Sequence, residues 1–302
     1  MIGESTTMIF KMFLNLLLKE NIKKIVCVSR LTWKNKVYYI KTSDMQYAVK
    51  VFKNKHNGTR RFKNEEYFYN YFTKSKLINV PKVIYSKNYL FFSIIITEWL
   101  EYPSLKQLIN KNGLKKNHKS VEGMFIDLHK IWDLKLNDFY IYSDNNIYNS
   151  CNRDIKYLIK KLSSKRRDLK DLYHTIYNIY VGINKNSKFL TNNIINNDIS
   201  LHEFFVCNDK YYWIDFENFT YGDINSDLAG VFYSLTNSFI EDTDSINYLY
   251  KRIEREKYFN KEKFIYYLIE RLLLADYLCK NEIDSNEISF YLKYIIKMYK
   301  KI

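Results

Sequence analysis

Apolar residues along this chain keep two rhythms, and the change between them divides it. Ile9, Phe13, Leu16 and Leu17 recur at helical spacing behind Ser5-Thr6-Thr7, which can cap a helix. Three β-type runs follow, Ile25 to Val28, Val37 to Ile40 and Tyr47 to Phe52, the last two joined by turn-forming Thr42-Ser43-Asp44. They predict an antiparallel meander. Phe62 to Phe72 returns to a helical period, Pro81 ends a connection, and Leu90 to Ile96 is a continuous apolar run suited to a buried strand. From Ser104 onward the pattern is mainly helical, broken by short strands at Phe204 to Cys207 and Tyr211 to Ile214 around the turn Asn208-Asp209-Lys210. A strand-rich first third and a helical remainder predict an α+β fold in two lobes, residues 1–99 and 100–302.

Composition narrows the function classes. With 302 residues, 47% hydrophobic and 18% aromatic, the chain can bury a large core despite a formal net charge of +15, so a disordered chain is excluded. Seven glycines and two prolines, with no Walker or Rossmann pattern, argue against glycine-rich phosphate loops of those kinds. Cys27, Cys151, Cys207 and Cys279 form no CxxC pair and the histidines form no HExxH, so neither a disulfide framework nor a structural zinc is expected. A cytoplasmic location fits that usage. The apolar stretch from Met8 to Leu18 is interrupted by Lys11 and falls short of the ~20 residues of a membrane span, so no spanning segment is expected. Its apolar face is expected to pack on the fold, the alternative being a helix that lies on a membrane. Lys115-Lys116 and Lys160 to Lys170 read as solvated faces, since no nucleic-acid module accompanies them and no stable nucleic-acid partner is expected.

The chemistry concentrates in Asn196-Asn197-Asp198-Ile199-Ser200-Leu201-His202-Glu203, followed by Ile214-Asp215-Phe216-Glu217, Gly222-Asp223 and Asp227-Leu228-Ala229. Asp198 opens a loop before one strand and Asp215 ends the next, so the two carboxylates are expected at one end of a hairpin. Phosphoryl transfer uses such a pair: one accepts the proton of, or orients, the attacking hydroxyl, and the other holds Mg²⁺ against the phosphates. Upstream, Lys50 lies in a strand between valines, and Glu65 and Glu66 follow on the next helix. A lysine on a central strand must find a carboxylate or phosphate partner.

These residues, in this order, resemble the aminoglycoside phosphotransferase and choline kinase superfamily, whose members have a protein-kinase-like fold. Leu31-Thr32-Trp33-Lys34-Asn35-Lys36-Val37-Tyr38 resembles its nucleotide-covering hairpin, Ile96-Thr97-Glu98-Trp99-Leu100 its adenine hinge, and Leu128-His129 the helix before its catalytic loop. Ile214-Asp215-Phe216-Glu217 resembles its I-D-[FW]-E, and Gly222-Asp223 with Asp227-Leu228-Ala229 its G-D-x-x-x-D-L-A. The resemblance implies an ATP- and Mg²⁺-dependent kinase acting on a small molecule. In that reading Lys50 contacts the α/β-phosphates, Glu65 or Glu66 pairs with it, Asn35, Glu98, Trp99 and Leu100 line the nucleotide site, Asp198 is the catalytic base and Asp215 binds metal.

The catalytic loop departs from the family's H-x-D-x-x-x-x-N at two places, Asn196 and Glu203. Asn196 is expected to hydrogen-bond to backbone as the family's histidine does, and Glu203 to join Asp215 on the metal. Two outcomes stay open: a kinase with altered metal preference, and a member that binds nucleotide or a protein partner without turnover. Residues 211–250 contain no Lys or Arg, against about six by even spreading, and hold Asp215, Glu217, Asp223, Asp227, Glu241, Asp242 and Asp244. This acidic island is expected to attract Mg²⁺ and a cationic substrate, such as an amino alcohol, thiamine or an aminoglycoside, with Glu217, Asp223 and Asp227 as candidate contacts. Tyr221, Phe232 and Tyr233 are either aromatic faces for that cation or core, and Phe264, Leu268, Leu272, Ala275 and Cys279 form a helical stripe.

Overall fold

The computed structural model describes residues 4–28, 35–53, 58–135, 146–186, 193–237, 242–278 and 284–300. Residues 31–34 of the expected nucleotide-covering hairpin, Glu241 and Cys279 lie outside them. In chain order the elements are α1 (Glu4–Leu18), β1 (Lys24–Cys27), β2 (Asn35–Lys41), β3 (Gln46–Lys53), α2 (Gly58–Ser75), β4 (Val83–Asn88), β5 (Phe92–Glu98), α3 (Leu105–Asn112), α4 (His118–Trp132), α5 (Asn146–Lys165) and α6 (Lys170–Asn186). Then come β6 (Asn193–Ile195), β7 (Phe204–Cys207), β8 (Lys210–Trp213), β9 (Thr220–Gly222), α7 (Ile224–Thr236), α8 (Thr243–Glu254), α9 (Lys261–Leu278) and α10 (Ser285–Tyr299). The chain forms two compact units, one of Met1–Pro103 with Phe205–Asn218 and one of Ser104–Phe204 with Phe219–Ile302. A single division near residue 99 therefore misses a return: the β7–β8 hairpin belongs with the first unit.

In the first unit the sheet order is β1-β2-β3-β5-β4, antiparallel throughout. The two-residue period of β3 sorts its side chains. Tyr47 and Val49 face a core shared with Leu14, Ile22, Ile40, Ile94 and Ile96, onto which α1 packs. Lys50 and Phe52 face the other way, where Phe52 meets Phe62 of α2 at 5.8 Å. The expected strand from Leu90 begins only at Phe92, because Leu90 and Phe91 form the bend after β4 and are 83% and 80% exposed. That edge strand β4 was hidden by its polar sequence and by a register shift between Val83 and Tyr85. The β7–β8 hairpin turns through Asn208 and Asp209, at φ 42° and 63°, the left-handed pair of a tight hairpin turn. It is tied into the unit by Val206 N donating to Pro103 O (3.1 Å), Trp213 N to Asn79 O (3.0 Å) and Asn79 Nδ2 to Tyr211 O (3.0 Å).

The second unit is helical apart from the antiparallel pair β6–β9. Its core is the stripe Phe264, Leu268 and Leu272 on α9 against Phe232 of α7 and Leu292 of α10, all essentially without exposure. Phe232 packs on Phe264 (5.6 Å) and Tyr294 (5.9 Å), so it is a core residue and not a face for a ligand cation. Among the described residues no helix is long and apolar enough to cross a membrane.

Candidate active site

Lys50 stands at the centre of a charge cluster inside the first unit. Its Nζ lies 2.6 Å from Glu65 Oε2, 2.9 Å from Asp215 Oδ1 and 2.9 Å from Glu217 Oε2. Burial alone would lower the lysine pKa, but Asp215, Glu65 and Glu217 together hold it well above its usual value, so it stays an ammonium. Burial pushes the Glu65 carboxyl up to about 8 against the pull of Lys50, with Asp215 and Glu217 pushing the same way. Arg61, 3.8 Å from Glu217, is a second cation, and Asn35 donates to Glu217 from the start of β2.

Asp215 is a third exposed (34%), which makes it the reachable carboxylate of the set. It is held at φ +67°, a left-handed conformation that Asp tolerates better than most side chains. The turn is fixed by its neighbour: Phe216 is fully buried against Phe72 (5.3 Å), Tyr69 (5.1 Å) and Phe68 (6.3 Å) of α2. Carboxylate oxygens of Glu65, Asp215 and Glu217 lie within 4.8 Å of one another, a hard-oxygen donor set of the kind Mg²⁺ takes.

In the second unit the loop after β6 presents Asp198 to solvent between buried Asn196 and Ile199. Three anchors hold it. Asp227, without exposure, accepts Asn196 N (3.0 Å), Asn197 N (2.9 Å) and Trp132 Nε1 (2.9 Å). Arg271 of α9 donates to Asn197 O at 3.1 Å, and Ser234 Oγ accepts Leu201 N at 3.1 Å. Between them Asn197 takes φ +60°, a conformation Asn visits readily. Arg271 can reach across α7 because Gly230 leaves room: a Cβ there would lie 2.9 Å from Cζ of the guanidinium.

The remaining sequence candidates fall in distinct places. Of the two glutamates, Glu65 meets Lys50, whereas Glu66 accepts Ser86 Oγ at 2.6 Å. Glu98 N donates to Lys82 O (3.0 Å) and Trp99 N to Gln46 O (3.0 Å), which orders the strand end leading to Leu100; Trp99 also packs edge-on to Tyr39 at 4.9 Å. Asp223 caps α7 through Asn225 N (2.9 Å) and pairs with Lys263 (2.9 Å), and Asp242 caps α8 through Ser245 N (3.0 Å). Glu203 accepts Ser200 N of its own loop at 3.3 Å. The expected backbone bond of Asn196 is not formed: its side chain is 1% exposed, and neither Oδ1 nor Nδ2 has a partner among the described residues. Arg271 and Ser234 were invisible beforehand, because loop anchors on distant helices carry no local sequence signal.

No known family profile matches the chain, and no curated protein matches it in sequence. Solved structures do match. A spectinomycin phosphotransferase solved with ADP and spectinomycin shares 14% identity at a TM-score of 0.63, over 96% of this chain and 93% of that one. A thermostable mutant aminoglycoside phosphotransferase solved with AMP-PNP and hygromycin B shares 10% at 0.67, over 96% and 97%. Choline kinase from Cryptosporidium parvum Iowa II shares 12% at 0.62, over 98% and 96%. Along nearly its whole length, then, this chain has the kinase-like α+β fold found in aminoglycoside phosphotransferases and choline kinase.

Proposed function

We propose that this protein is an ATP-dependent phosphotransferase acting on a hydroxyl of a small molecule. The observation that carries the reading is the convergence of Lys50, Glu65 and Asp215 in one unit, with Lys50 held charged and Asp215 open to solvent. Glu65 fixes the ammonium so that it can steady the α/β-phosphates of a nucleotide at little cost in reorganisation. Asp215 and Glu217 would hold Mg²⁺, which when bound neutralises phosphate charge as the phosphoryl group departs. Asp198 accepts the proton of the acceptor hydroxyl as its oxygen attacks the γ-phosphorus and the bond to the β-phosphate oxygen breaks, releasing ADP. The rigid anchorage of its loop is what positions it.

Asp227 serves in this reading as the holder of the loop and not as a substrate contact, since it has no exposed surface and three donors already meet it. Asp223 and Asp242 are spent on helix caps, so the preference for a cationic acceptor rests on fewer carboxylates than the sequence suggested. ADP formation with Mg²⁺ or Mn²⁺ is to be measured over choline, ethanolamine, thiamine, sugars and aminoglycosides. One acceptor should stimulate it, and Asp198→Ala and Asp215→Ala should each abolish that stimulation. Activity undiminished in both variants would overturn the assignment.

A further inference from the structure

The second unit has a hollow of about 250 Å³, bordered by α8, the start of α9 and the C-terminal half of α10, that the chemistry above does not use. Lys251, Lys261 and Lys297, one from each helix, stand around it, and Tyr250, Tyr294 and the buried Met298 form its apolar side. Both rings are fixed by their neighbours. Tyr250 packs on Phe259 (6.2 Å) and Phe264 (6.1 Å), and Tyr294 stacks on Phe232 (5.9 Å) and Phe290 (6.0 Å). The apolar side is therefore ordered in advance, and a ligand meeting it has little side-chain freedom to freeze.

The charge around this hollow is unbalanced. None of the three lysines has an ion-pair partner among the described residues, and Glu254 is the one acid in the lining, so two positive charges are in excess. Lys251 and Lys297 have an ordinary reason for their places, since each lies in the last turn of its helix, where a cation suits the dipole. Lys261 does not. It opens α9, the end at which the helix dipole repels a cation, and Glu262, which follows it and suits that end, is not in the lining. An anion among the three ammonium groups would offset that repulsion and their repulsion of one another.

We propose that this hollow binds a small phosphate monoester, its phosphate among Lys251, Lys261 and Lys297 and its organic body against Tyr250, Tyr294 and Met298. Ammonium groups take phosphate as point charges and need no bidentate fit, which suits three lysines from different helices. The excess of two charges matches the roughly −1.5 to −2 of a phosphate monoester at neutral pH, whereas a carboxylate would leave one charge unanswered. Drug-sized ligands fill roughly 300–1,000 Å³, so this volume limits the body to a single ring or less. The site belongs to the second unit alone and does not depend on the phosphotransferase reading. The test is isothermal titration calorimetry of the full chain with phenyl phosphate. Saturable binding is expected, weaker as salt rises and weaker for inorganic phosphate, which lacks the ring. Lys261→Gln, and the pair Lys251→Gln with Lys297→Gln, should each weaken it about tenfold or more. Glu254→Gln should tighten it, and Lys160→Gln, which removes the same charge from an exposed site on α5, should leave it unchanged. Lys251, Glu254 and Lys297 are exposed, so the circular dichroism of their variants should match the parent's. Absence of saturable binding at millimolar phenyl phosphate, or binding that survives both sets of lysine changes around the hollow, would overturn the proposal. So would inorganic phosphate binding as tightly as phenyl phosphate, or Lys160→Gln costing as much as Lys261→Gln, since the chain would then be answering to charge alone.

Discussion

Removing the Asp227 carboxylate tests whether the loop bearing Asp198 is held as described. Asp227→Ala strands two buried donors, Trp132 Nε1 and Asn196 N, and the half-buried Asn197 N, now met at 2.9–3.0 Å. A stranded buried donor costs about 1–3 kcal/mol, so the three together cost about 3 kcal/mol or more. Set against a usual total of about 5–15 kcal/mol, that is a large share of the stability. Asp227→Asn should be milder, at about 2 kcal/mol, because one oxygen can still accept while the amide nitrogen faces a donor. It also escapes the burial that raises the Asp227 pKa despite its hydrogen bonds and Arg271. Denaturant unfolding gives the magnitudes, and hydrogen exchange at the amides of 196 and 197 locates the effect. In Asp227→Asn those two amides should exchange about tenfold faster or more, with the α8 amides unchanged. An Ala variant within about 0.5 kcal/mol of the parent, with both amides still protected, would refute the reasoning.

Two further outcomes follow from buried polar groups of the second unit. Burial pushes the Glu270 carboxyl from 4.5 to about 7, against hydrogen bonds from Tyr180 and Tyr266 and the charge of Arg271. Because the folded value is the higher one, this group's contribution is complete below the unfolded value and is lost as pH rises through about 7. The loss is about 3 kcal/mol at the usual conversion, and Glu270→Gln should remove that slope from a stability–pH profile; parallel profiles would contradict it. Asn196→Leu replaces an amide that has no partner among the described residues by an apolar group of similar size. It should leave the protein as stable as before or about 1 kcal/mol more so, and a loss of about 2 kcal/mol in denaturant unfolding would show that the amide is satisfied.

The fold was legible where the chain speaks in strong periods. The β1–β2–β3 meander, α2 and the Asn208-Asp209 turn all follow from alternation, helical spacing and turn chemistry. The charge cluster was legible in Lys50 and Asp215, since a lysine between strand valines and an aspartate closing an apolar run are unusual enough locally to stand out. Choosing Glu65 over Glu66 needed the structure, because adjacent residues on a helix differ by only a rotation of about 100° in direction. The three-residue strands β6 and β9 were too short to carry a period. The backbone bonds of Asp227 were not legible, because a carboxylate aimed at backbone amides and one aimed at a ligand look alike in sequence.

The return of residues 205–218 to the first unit bears on how this protein can be cut. A fragment ending at Pro103 keeps Lys50 and Glu65 but forfeits Asp215, Glu217 and the Phe216 ring, leaving an opening beside Phe72 where an aromatic plug belongs. Yet Pro103 O and Val206 N sit 3.1 Å apart, so the two severed ends already touch. Grafting the hairpin directly behind Pro103 through a brief glycine bridge would restore the whole charge cluster to one contiguous polypeptide, and excision of the first unit becomes a matter of splicing, not truncation.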